Sequence, residues 1–252
     1  MMSQQKSYIS KRFEFKYLLN PIEAKLIERD LCKFGSLTAD DHSQNGSYIV
    51  NSLYFDTPQM TDFREKDGSL LRRKKMRARM YESNWNSELE TVWLEVKHKL
   101  NMNVAKTRAG IPKNTWNTFI KSNNALTLLN YARQLPEQKD VRSFAYFFLH
   151  GNYKPTAVVQ YERVAYIANF TNPIRITFDY NITTCRFEDA YREERLVPVS
   201  KNLVVMEIKF NNKLPWWFTH TVEQYNLQRT DFSKYRNSVA TMRGYKRIPI
   251  SK

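Results

Sequence analysis

The sequence predicts an α+β protein whose strands turn one charged face inward while helices cover the other face. The first observation is a Glu-x-Lys pattern in three separate strand-like stretches, at Glu14–Lys16, Glu95–Lys97 and Glu207–Lys209. Residues i and i+2 of a strand share a face, so each Glu/Lys pair lies opposite its apolar neighbours. The same polarity therefore recurs on strands that are far apart in the chain.

The second observation is a segment from Arg73 to Tyr81 in which every other residue is a cation. Four cations line one face, namely Arg73, Lys75, Arg77 and Arg79, while Met76, Ala78 and Met80 line the opposite one. A further segment places two charged residues opposite three apolar ones, with Arg175 and Asp179 facing away from Ile174, Ile176 and Phe178. The charged faces thus combine many cations with a few carboxylates.

Strands with this pattern have two structural interpretations. They can expose the charged face to water, where cross-strand ion pairs stabilise it, and this alternative stays open for each Glu/Lys pair. They can also curl into one barrel with the charges inside and the apolar faces under helices. Such a barrel would be a channel suited to a polyanion that carries a divalent metal. We favour the channel because the charged faces come from distant segments, each with an apolar opposite side.

The sequence pattern of the first half of the chain predicts mainly strands. Asn20 as N-cap, Pro21 at the first helical position and Glu23 three residues after the cap predict a helix that ends near Phe34. Asp67-Gly68 is a predicted turn, and Glu82 to Glu88 a hairpin connection. Around them we expect one short helical turn at Thr61–Lys66 and strands at Arg12–Leu19, Tyr48–Phe55, Leu70–Tyr81, Thr91–Leu100 and Val104–Ile111.

The second half begins with a change of pattern. Lys113–His150 has helical spacing and predicts two or three helices. Strands are expected again at Thr156–Ala168, Ile174–Asn181 and Leu203–Phe210. Pro215 should open a final helix with an apolar face formed by Trp216, Trp217, Val222 and Leu227. No linker marks a boundary, so residues 1–252 are expected to form a single domain.

The composition indicates an anionic partner. The 252 residues include 40 Lys and Arg against 25 Asp and Glu, which gives a formal charge of +15. A balance this basic fits nucleic acid, an anionic membrane surface or a phosphate-rich small molecule. Cys32 and Cys185 stand alone, without zinc-ligand spacing. No apolar run approaches a membrane span, so we expect no membrane segment and a cytoplasmic location.

Eight short motifs in sequence order resemble the VTC domain of the triphosphate tunnel metalloenzyme, or CYTH-like, superfamily. The resemblance covers about residues 8–240. It rests on Arg12–Tyr17, Ser52–Thr57, Arg77–Tyr81, Leu94–Lys97, Tyr161–Arg163, Arg175–Asp179, Met206–Lys209 and Phe232–Tyr235.

The resemblance implies a closed antiparallel barrel of about eight strands, flanked by helices, with a basic tunnel through its centre. It also implies an ATP-dependent polyphosphate polymerase, with ATP or another triphosphate and polyphosphate as partners. The implied cofactor is a divalent metal, Mn²⁺ or Mg²⁺. No DNA partner is expected, and the oligomeric state is open.

The resemblance also assigns site residues. The catalytic set is Arg77, Arg79, Lys97 and Lys209. The phosphate- and nucleotide-binding set is Lys16, Lys75, Arg163, Arg175 and Lys234. Glu207 is the implied metal-binding carboxylate, followed by Glu14 and Glu95.

Two other functions remain open at this point. The same tunnel would serve an inorganic or nucleoside triphosphatase, although the N-terminal motif has one glutamate where many hydrolytic tunnel enzymes have an E-x-E pair. A non-catalytic module that binds polyphosphate or nucleic acid is the other alternative. The chain has no Walker A loop, so phosphate binding must come from side chains.

Overall fold

The computed structural model describes residues 12–34, 37–43, 46–64, 72–82, 85, 91–100, 103–135, 138–168, 173–190 and 192–244. The strands are β1 (Arg12–Leu19), β2 (Thr38–Ala39), β3 (Tyr48–Asp56), β4 (Arg72–Met80), β5 (Thr91–Leu100), β6 (Asn103–Pro112), β7 (Lys154–Ala168), β8 (Ile174–Arg186), β9 (Val197–Pro198) and β10 (Val204–Asn211). The α-helices are α1 (Pro21–Phe34), α2 (Thr61–Arg64), α3 (Lys113–Ser122), α4 (Leu126–Gln134), α5 (Lys139–His150), α6 (Trp216–Gln224) and α7 (Lys234–Met242).

All ten strands belong to one antiparallel sheet, which confirms the predicted α+β class. Eight of them follow the order β1-β10-β8-β7-β3-β4-β5-β6, while β2 pairs with β7 and β9 with β8. The predicted closure of the barrel is not found, because β1 and β6 are the two edges of the sheet and do not pair within the described residues. One reason is that Thr230 N–H donates to the carbonyl of Lys16 at 2.8 Å, so another segment occupies the free edge of β1.

The sheet is nevertheless strongly curled. Lys97 on β5 contacts Glu14 on β1, with 3.3 Å between Nζ and Oε2. Five strands, β10, β8, β7, β3 and β4, lie between β1 and β5 in the order of the sheet. A flat sheet would hold these two side chains far apart, since neighbouring strands are about 4.8 Å apart. The two edges therefore face each other across a seam that side chains bridge.

The convex face of the sheet is apolar and lies under helices. Met76 and Val96 pack with Phe119 of α3 and Phe144 of α5 in one buried cluster. A second buried cluster joins Met206, Ile208 and Ile176 to Ile27 and Leu31 of α1 and to Phe218 of α6. Burying apolar surface contributes roughly 25 cal/mol per Å² to folding, so the apolar face of each strand lies on the convex side under the helices.

Helix α7 packs against the concave face. Its Tyr235 stacks on Tyr54 of β3 with 5.0 Å between ring centroids, and Val239 lies in the same buried cluster as Val50 and Val205. The Tyr235 hydroxyl donates to Asp56 Oδ2 at 2.5 Å. Helix α7 and the residues just before it therefore cover one end of the concave face.

Several sequence-based expectations are confirmed in detail. Asn20 and Glu23 cap α1 reciprocally, through Glu23 N–H to Asn20 Oδ1 at 2.9 Å and Asn20 N–H to Glu23 Oε2 at 3.3 Å. Ser233 precedes Lys234 as a serine typical of an N-cap, and it caps α7 by accepting a hydrogen bond from Arg236 N–H. Three helices occupy residues 113–150.

Other expectations need correction. Strand β8 continues to Arg186, five residues past the predicted end, because it pairs there with the start of β7. The predicted final helix at Pro215 is followed by α7, and Trp216 is 73% exposed and not part of an apolar face. The turn at Asp67-Gly68, the side chain of Arg73 and most of the connection from Glu82 to Glu88 lie outside the described residues. Among the described helices, none has the length and hydropathy of a bilayer span.

Candidate functional site

The concave face collects the charged side chains of seven strands and of the start of α7. The strand register places each Glu-x-Lys pair beside another charged pair, as in Glu14 opposite Lys209 and Lys16 opposite Glu207. Among the described residues this face carries eleven cations and four carboxylates: Lys16, Lys75, Arg77, Arg79, Lys97, Lys106, Arg108, Arg163, Arg175, Lys209 and Lys234 with Glu14, Glu95, Asp179 and Glu207. The excess of positive charge is a binding potential for a polyanion.

Arg77 and Arg79 of β4 lie deep in the face and are held by fixed partners. Arg77 donates to Glu95 Oε2 from Nε at 2.6 Å and to the Tyr54 hydroxyl from Nη1 at 3.1 Å. Arg79 is only 8% exposed and donates to Ser52 Oγ at 3.2 Å and to the Tyr161 hydroxyl at 3.4 Å. Each guanidinium keeps other N–H groups for a ligand, since it has five in total.

Glu14 and Glu207 come together around Lys16. The Lys16 ammonium lies 3.0 Å from Glu14 Oε1 and 3.5 Å from Glu207 Oε2, while Lys209 contacts the other oxygen of Glu207. Burial raises the pKa of Glu207, but Lys209, Lys16 and Lys234 outweigh burial and hold it well below its usual range. At Glu14, burial and the neighbouring Glu207 charge raise the pKa, but Lys16, Lys209 and Lys97 outweigh them, so this pKa is also lowered. Both carboxylates are therefore ionised at neutral pH.

Arg163 and Lys234 share one buried carboxylate. Arg163 forms a two-point contact with Asp179, at 2.6 Å from Nε and 2.8 Å from Nη2, and Lys234 lies 2.5 Å from Asp179 Oδ2. Burial raises the pKa of Asp179, but the two cations lower it to about 2. This ion pair network attaches the start of α7 to β7 and β8. Asp179 is thereby a structural partner of the cations.

Three lysines on adjacent strands form a row near the end that α7 covers. Lys97 lies directly opposite Lys75 on one side and Lys106 on the other in the strand register. Their contacts reach away from one another: Lys75 donates to Ser233 Oγ at 2.8 Å, Lys97 contacts Glu14, and Lys106 lies 2.7 Å from Glu95 Oε1. Like charges directly opposite in a sheet repel, and a bound anion would relieve that repulsion.

The remaining predicted residue, Arg175, lies near the opposite end of the face. Its Nη2 donates to Asp40 Oδ2 at 2.5 Å and to the Tyr48 hydroxyl at 3.2 Å. The cations thus extend from Lys75 beside α7 to Arg175 near the end that α7 leaves uncovered.

Two carboxylates of the concave face have surroundings that suit a divalent metal. Within the described residues, no three His, Cys, Asp or Glu side chains approach closely enough to form a complete protein cage. Mg²⁺ seldom needs one, because it is usually held by one or two carboxylates together with phosphate oxygens and water. The ionised pair Glu14 and Glu207 fits that donor set. Glu95 fits it less well, since Arg77, Lys106 and Arg108 already surround its two oxygens.

All twelve predicted site residues lie on one face, and their roles stay predictions. Four residues that were not predicted as site residues also line this face, namely Tyr54, Tyr161, Lys106 and Arg108. Lys106 and Arg108 showed the same two-residue spacing as the assigned cations. Tyr54 and Tyr161 are uncharged and so did not stand out in the charge pattern. Each nevertheless lies two residues from a polar residue of the concave face, Tyr54 from Ser52 and Tyr161 from Arg163.

Comparisons with known proteins support a family assignment. The sequence model of one protein family, described as VTC domain, matches residues 11–243. A search of curated proteins gave no match.

A search of solved structures found matches that cover most of this chain at low sequence identity. A Bacillus halodurans protein described as a candidate adenylate cyclase is 10% identical, with a TM-score of 0.46 over 88% of this chain and 95% of that chain. A candidate adenylyl cyclase from Hippeastrum, described as having a dominant triphosphatase activity, is 12% identical, with a TM-score of 0.47 over 96% of this chain and 98% of that one. A Pyrococcus horikoshii protein is 13% identical, with a TM-score of 0.42 over 91% of this chain and 98% of that one.

Proposed function

The chain belongs to the VTC domain family, and from that premise we propose that it is a metal-dependent phosphotransferase acting on a triphosphate. More specifically, we propose an ATP-dependent polyphosphate polymerase that transfers the terminal phosphoryl group of ATP to a growing polyphosphate chain. The observation that carries the proposal is the concave face, where eleven cations surround two adjacent ionised carboxylates. Phosphoryl transfer depends mainly on positioning and charge stabilisation, which such a face can supply.

Arg77 and Arg79 are proposed to hold the transferring phosphoryl group. They project from alternate positions of β4 to the same face, so both guanidinium groups can reach one triphosphate. Glu95, Tyr54, Ser52 and Tyr161 hold them in place before any ligand binds. A preorganised charge is more effective than one that must reorient, because no reorganisation accompanies the reaction.

The lysines are proposed to bind the chain of phosphates on both sides of the reacting group. Lys16 and Lys209 lie beside the two carboxylates, and the row of Lys75, Lys97 and Lys106 lies beside α7. As flexible point charges, lysines suit a ligand whose phosphates shift by one unit in each cycle. Arg163, Arg175 and Lys234 are assigned to the same polyanion.

Glu207 and Glu14 are proposed to hold the divalent metal together with phosphate oxygens. When bound, Mn²⁺ or Mg²⁺ supplies charge neutralisation on the phosphate oxygens and a template that aligns them. Lys16 lies between the two carboxylates, at 3.0 and 3.5 Å. A bound metal would share these carboxylates with Lys16, whose ammonium would also be placed to donate to a phosphate oxygen.

The proposed reaction is tested by incubating the purified protein with ATP and Mn²⁺ and by following two products. Long polyphosphate on a gel, formed together with ADP, is the expected result. Release of orthophosphate without polymer would replace the polymerase with a triphosphatase. If neither product forms with Mn²⁺ or Mg²⁺, the protein is a binding module and not an enzyme.

The metal site is tested by Glu207→Gln, which removes one charge and keeps the shape of the side chain. We expect turnover at limiting Mn²⁺ to fall more than roughly 100-fold, since loss of even an outer-shell partner of a metal costs about 10- to 100-fold. Glu162→Gln is the matched control, because Glu162 is also on a strand but bonds to Ser47 and Asn181 outside the concave face. Equal metal dependence in Glu207→Gln and the control would move the site away from Glu207.

A further inference from the structure

The concave face carries aromatic side chains toward the end that α7 leaves uncovered. Tyr48 of β3 is opposite Arg163, Tyr81 follows Arg79 by two residues, and Trp93 precedes Glu95 by two residues. The alternation that turns the cations inward therefore turns these three rings inward as well. Charged positions thus give way to aromatic ones along the same face.

The rings form a stacked group that includes a loop residue. His42 lies nearly parallel to Tyr81, with 4.6 Å between centroids and 18° between planes. Tyr48 is 5.3 Å from His42 and 5.9 Å from Tyr81. His42 is exposed, and Tyr48 and Tyr81 are partly exposed. A group of rings is therefore accessible at the edge of the basic face.

Cations connect this aromatic group to the rest of the face. Arg175 donates to the Tyr48 hydroxyl at 3.2 Å. Arg108 donates to the Tyr81 hydroxyl at 2.9 Å, and its guanidinium lies 4.2 Å from the centre of the Trp93 ring. Both bonds hold the tyrosine rings by their hydroxyl groups, and the His42 ring stacked on Tyr81 is the exposed member of the group.

We propose that His42, Tyr48 and Tyr81 form a stacking platform for the base of a nucleoside triphosphate. The inference rests on the proposed function and deepens it, because it distinguishes a nucleotide from tripolyphosphate. A nucleotide has an uncharged base at one end and charged phosphates at the other. The concave face likewise has the aromatic group near its uncovered end and most of its cations beyond that group. The platform offers ring faces and few groups for reading base edges, so it accepts purines of either kind.

The proposal is tested by measuring equilibrium binding of ATP and of inorganic tripolyphosphate by titration calorimetry. His42→Ala and Tyr81→Ala should each weaken ATP binding about tenfold, as stacking on one aromatic ring predicts. Tripolyphosphate binding should change less than about twofold, because it has no base. GTP should follow ATP.

Two controls separate stacking from structural effects. Tyr81→Phe keeps the ring and loses only the bond from Arg108, so its ATP affinity should stay near that of the wild type. Tyr146→Ala removes an exposed ring on α5, outside the concave face, and should affect neither ligand.

Three results would overturn the platform. They are an equal loss of ATP and tripolyphosphate affinity in the alanine variants, no loss of either, and a wild-type protein that binds tripolyphosphate but not ATP. The readout is binding and not turnover, so a protein that binds ATP through these rings yet forms no product would refute the polymerase and keep the platform. Conversely, polymer formation with unaltered ATP binding in both variants would keep the polymerase and refute the platform.

Discussion

Arg79 is almost fully enclosed, and its partners are neutral. Ser52 and Tyr161 accept hydrogen bonds from it, and no carboxylate contact satisfies its charge among the described salt bridges. A buried guanidinium without a carboxylate is costly to desolvate, and a phosphate is the ligand that best offsets that cost. Among the cations of the face, Arg79 is therefore the best placed for a contact that strengthens as charge develops on the phosphoryl group.

This placement leads to a kinetic prediction for Arg79→Ala. We expect kcat to fall about 10²- to 10³-fold, or roughly 3–4 kcal/mol in the barrier, with a much smaller change in nucleotide affinity. Steady-state kinetics combined with equilibrium titration separate the two effects. Arg133→Ala on α4 is the control, since Arg133 is exposed and donates to Asn130 of the same helix. A variant that binds ATP far more weakly but retains its kcat would assign Arg79 to ground-state binding.

Tyr54 makes a second prediction at this scale. Burial would raise the pKa of Tyr54, but Arg77, Arg79 and Lys75 lower it to about 8, below the ordinary value near 10. The folded protein therefore releases this proton at a lower pH than the unfolded chain does. Ionisation of Tyr54 should add stability progressively between about pH 8 and pH 10, and this gain should be lost as the pH falls through 8.

The absorbance of the phenolate measures this ionisation directly. The wild type should show a titration step centred near pH 8 that Tyr54→Phe lacks. Tripolyphosphate should move the step to higher pH, because an anion beside Arg77 opposes the phenolate charge. If wild type and Tyr54→Phe have identical titration curves below pH 9, about one pH unit under the ordinary tyrosine value, the predicted shift is wrong.

The face on which each cation lies was predictable, whereas its partners were not. The period of two in β4 predicts that Arg77 and Arg79 share a face, because pleating alone determines that. That Glu95 holds Arg77, or that Lys16 lies between Glu14 and Glu207, depends on strand neighbours from distant parts of the chain. A strand's own alternation has no information about register against such neighbours.

At the scale of elements, α7 shows the same limit. Its N-cap Ser233 follows from local sequence, since a serine hydroxyl is a good acceptor for the first helical N–H groups. Its location against the concave face does not. That location depends on Lys234 pairing with Asp179 and on Tyr235 reaching Asp56 and Tyr54.

Tyr235→Phe should measure how firmly α7 is held. The variant leaves the stack on Tyr54 intact and removes the bond to the buried Asp56 carboxylate, so we expect a loss of about 1.5–3 kcal/mol in the free energy of unfolding. For a chain of this size that corresponds to a fall of roughly 3–10 °C in the midpoint of thermal unfolding. Tyr146→Phe, at an exposed position, should leave the midpoint unchanged. Equal midpoints for both variants would show that the Asp56 bond contributes nothing net.

At the scale of the whole molecule, the charge on the concave face opposes folding. Eleven cations around four carboxylates repel one another, and the row of Lys75, Lys97 and Lys106 has no carboxylate within the row itself. An anion that binds only the folded state relieves this repulsion and adds its binding free energy to stability.

Tripolyphosphate should therefore raise the midpoint of thermal unfolding by roughly 5–10 °C at about 100 times its dissociation constant. The increase should shrink as NaCl is added, because salt screens partly exposed charges. NaCl at matched ionic strength, without tripolyphosphate, is the control. An increase of the same size in that control would indicate general screening and not a site.

The strands, the helices and the charged face were predictable from the sequence, but the pairing of the two edge strands was not. Alternation and helical spacing indicate which segments are strands and that their charged faces converge. Whether the first and last strands of the order pair with each other depends on what else can reach the edge of β1. In this chain Thr230 bonds to that edge, and no pattern in β1 or β6 indicates it.

The seam between β1 and β6 has a topological consequence. A closed ring must be threaded from the end of a polymer, whereas a clamp that is open along one side can engage the middle of a chain. Among the described residues, two contacts lie at this seam: the bond from Thr230 to the edge of β1, and the ion pair between Lys97 and Glu14, which is partly exposed and therefore worth at most about 1 kcal/mol. For the proposed polymerase, we therefore expect a long polyphosphate to enter and leave sideways, without passing the end that α7 covers. Chains blocked at both termini should accordingly compete for the concave face as well as chains with free ends.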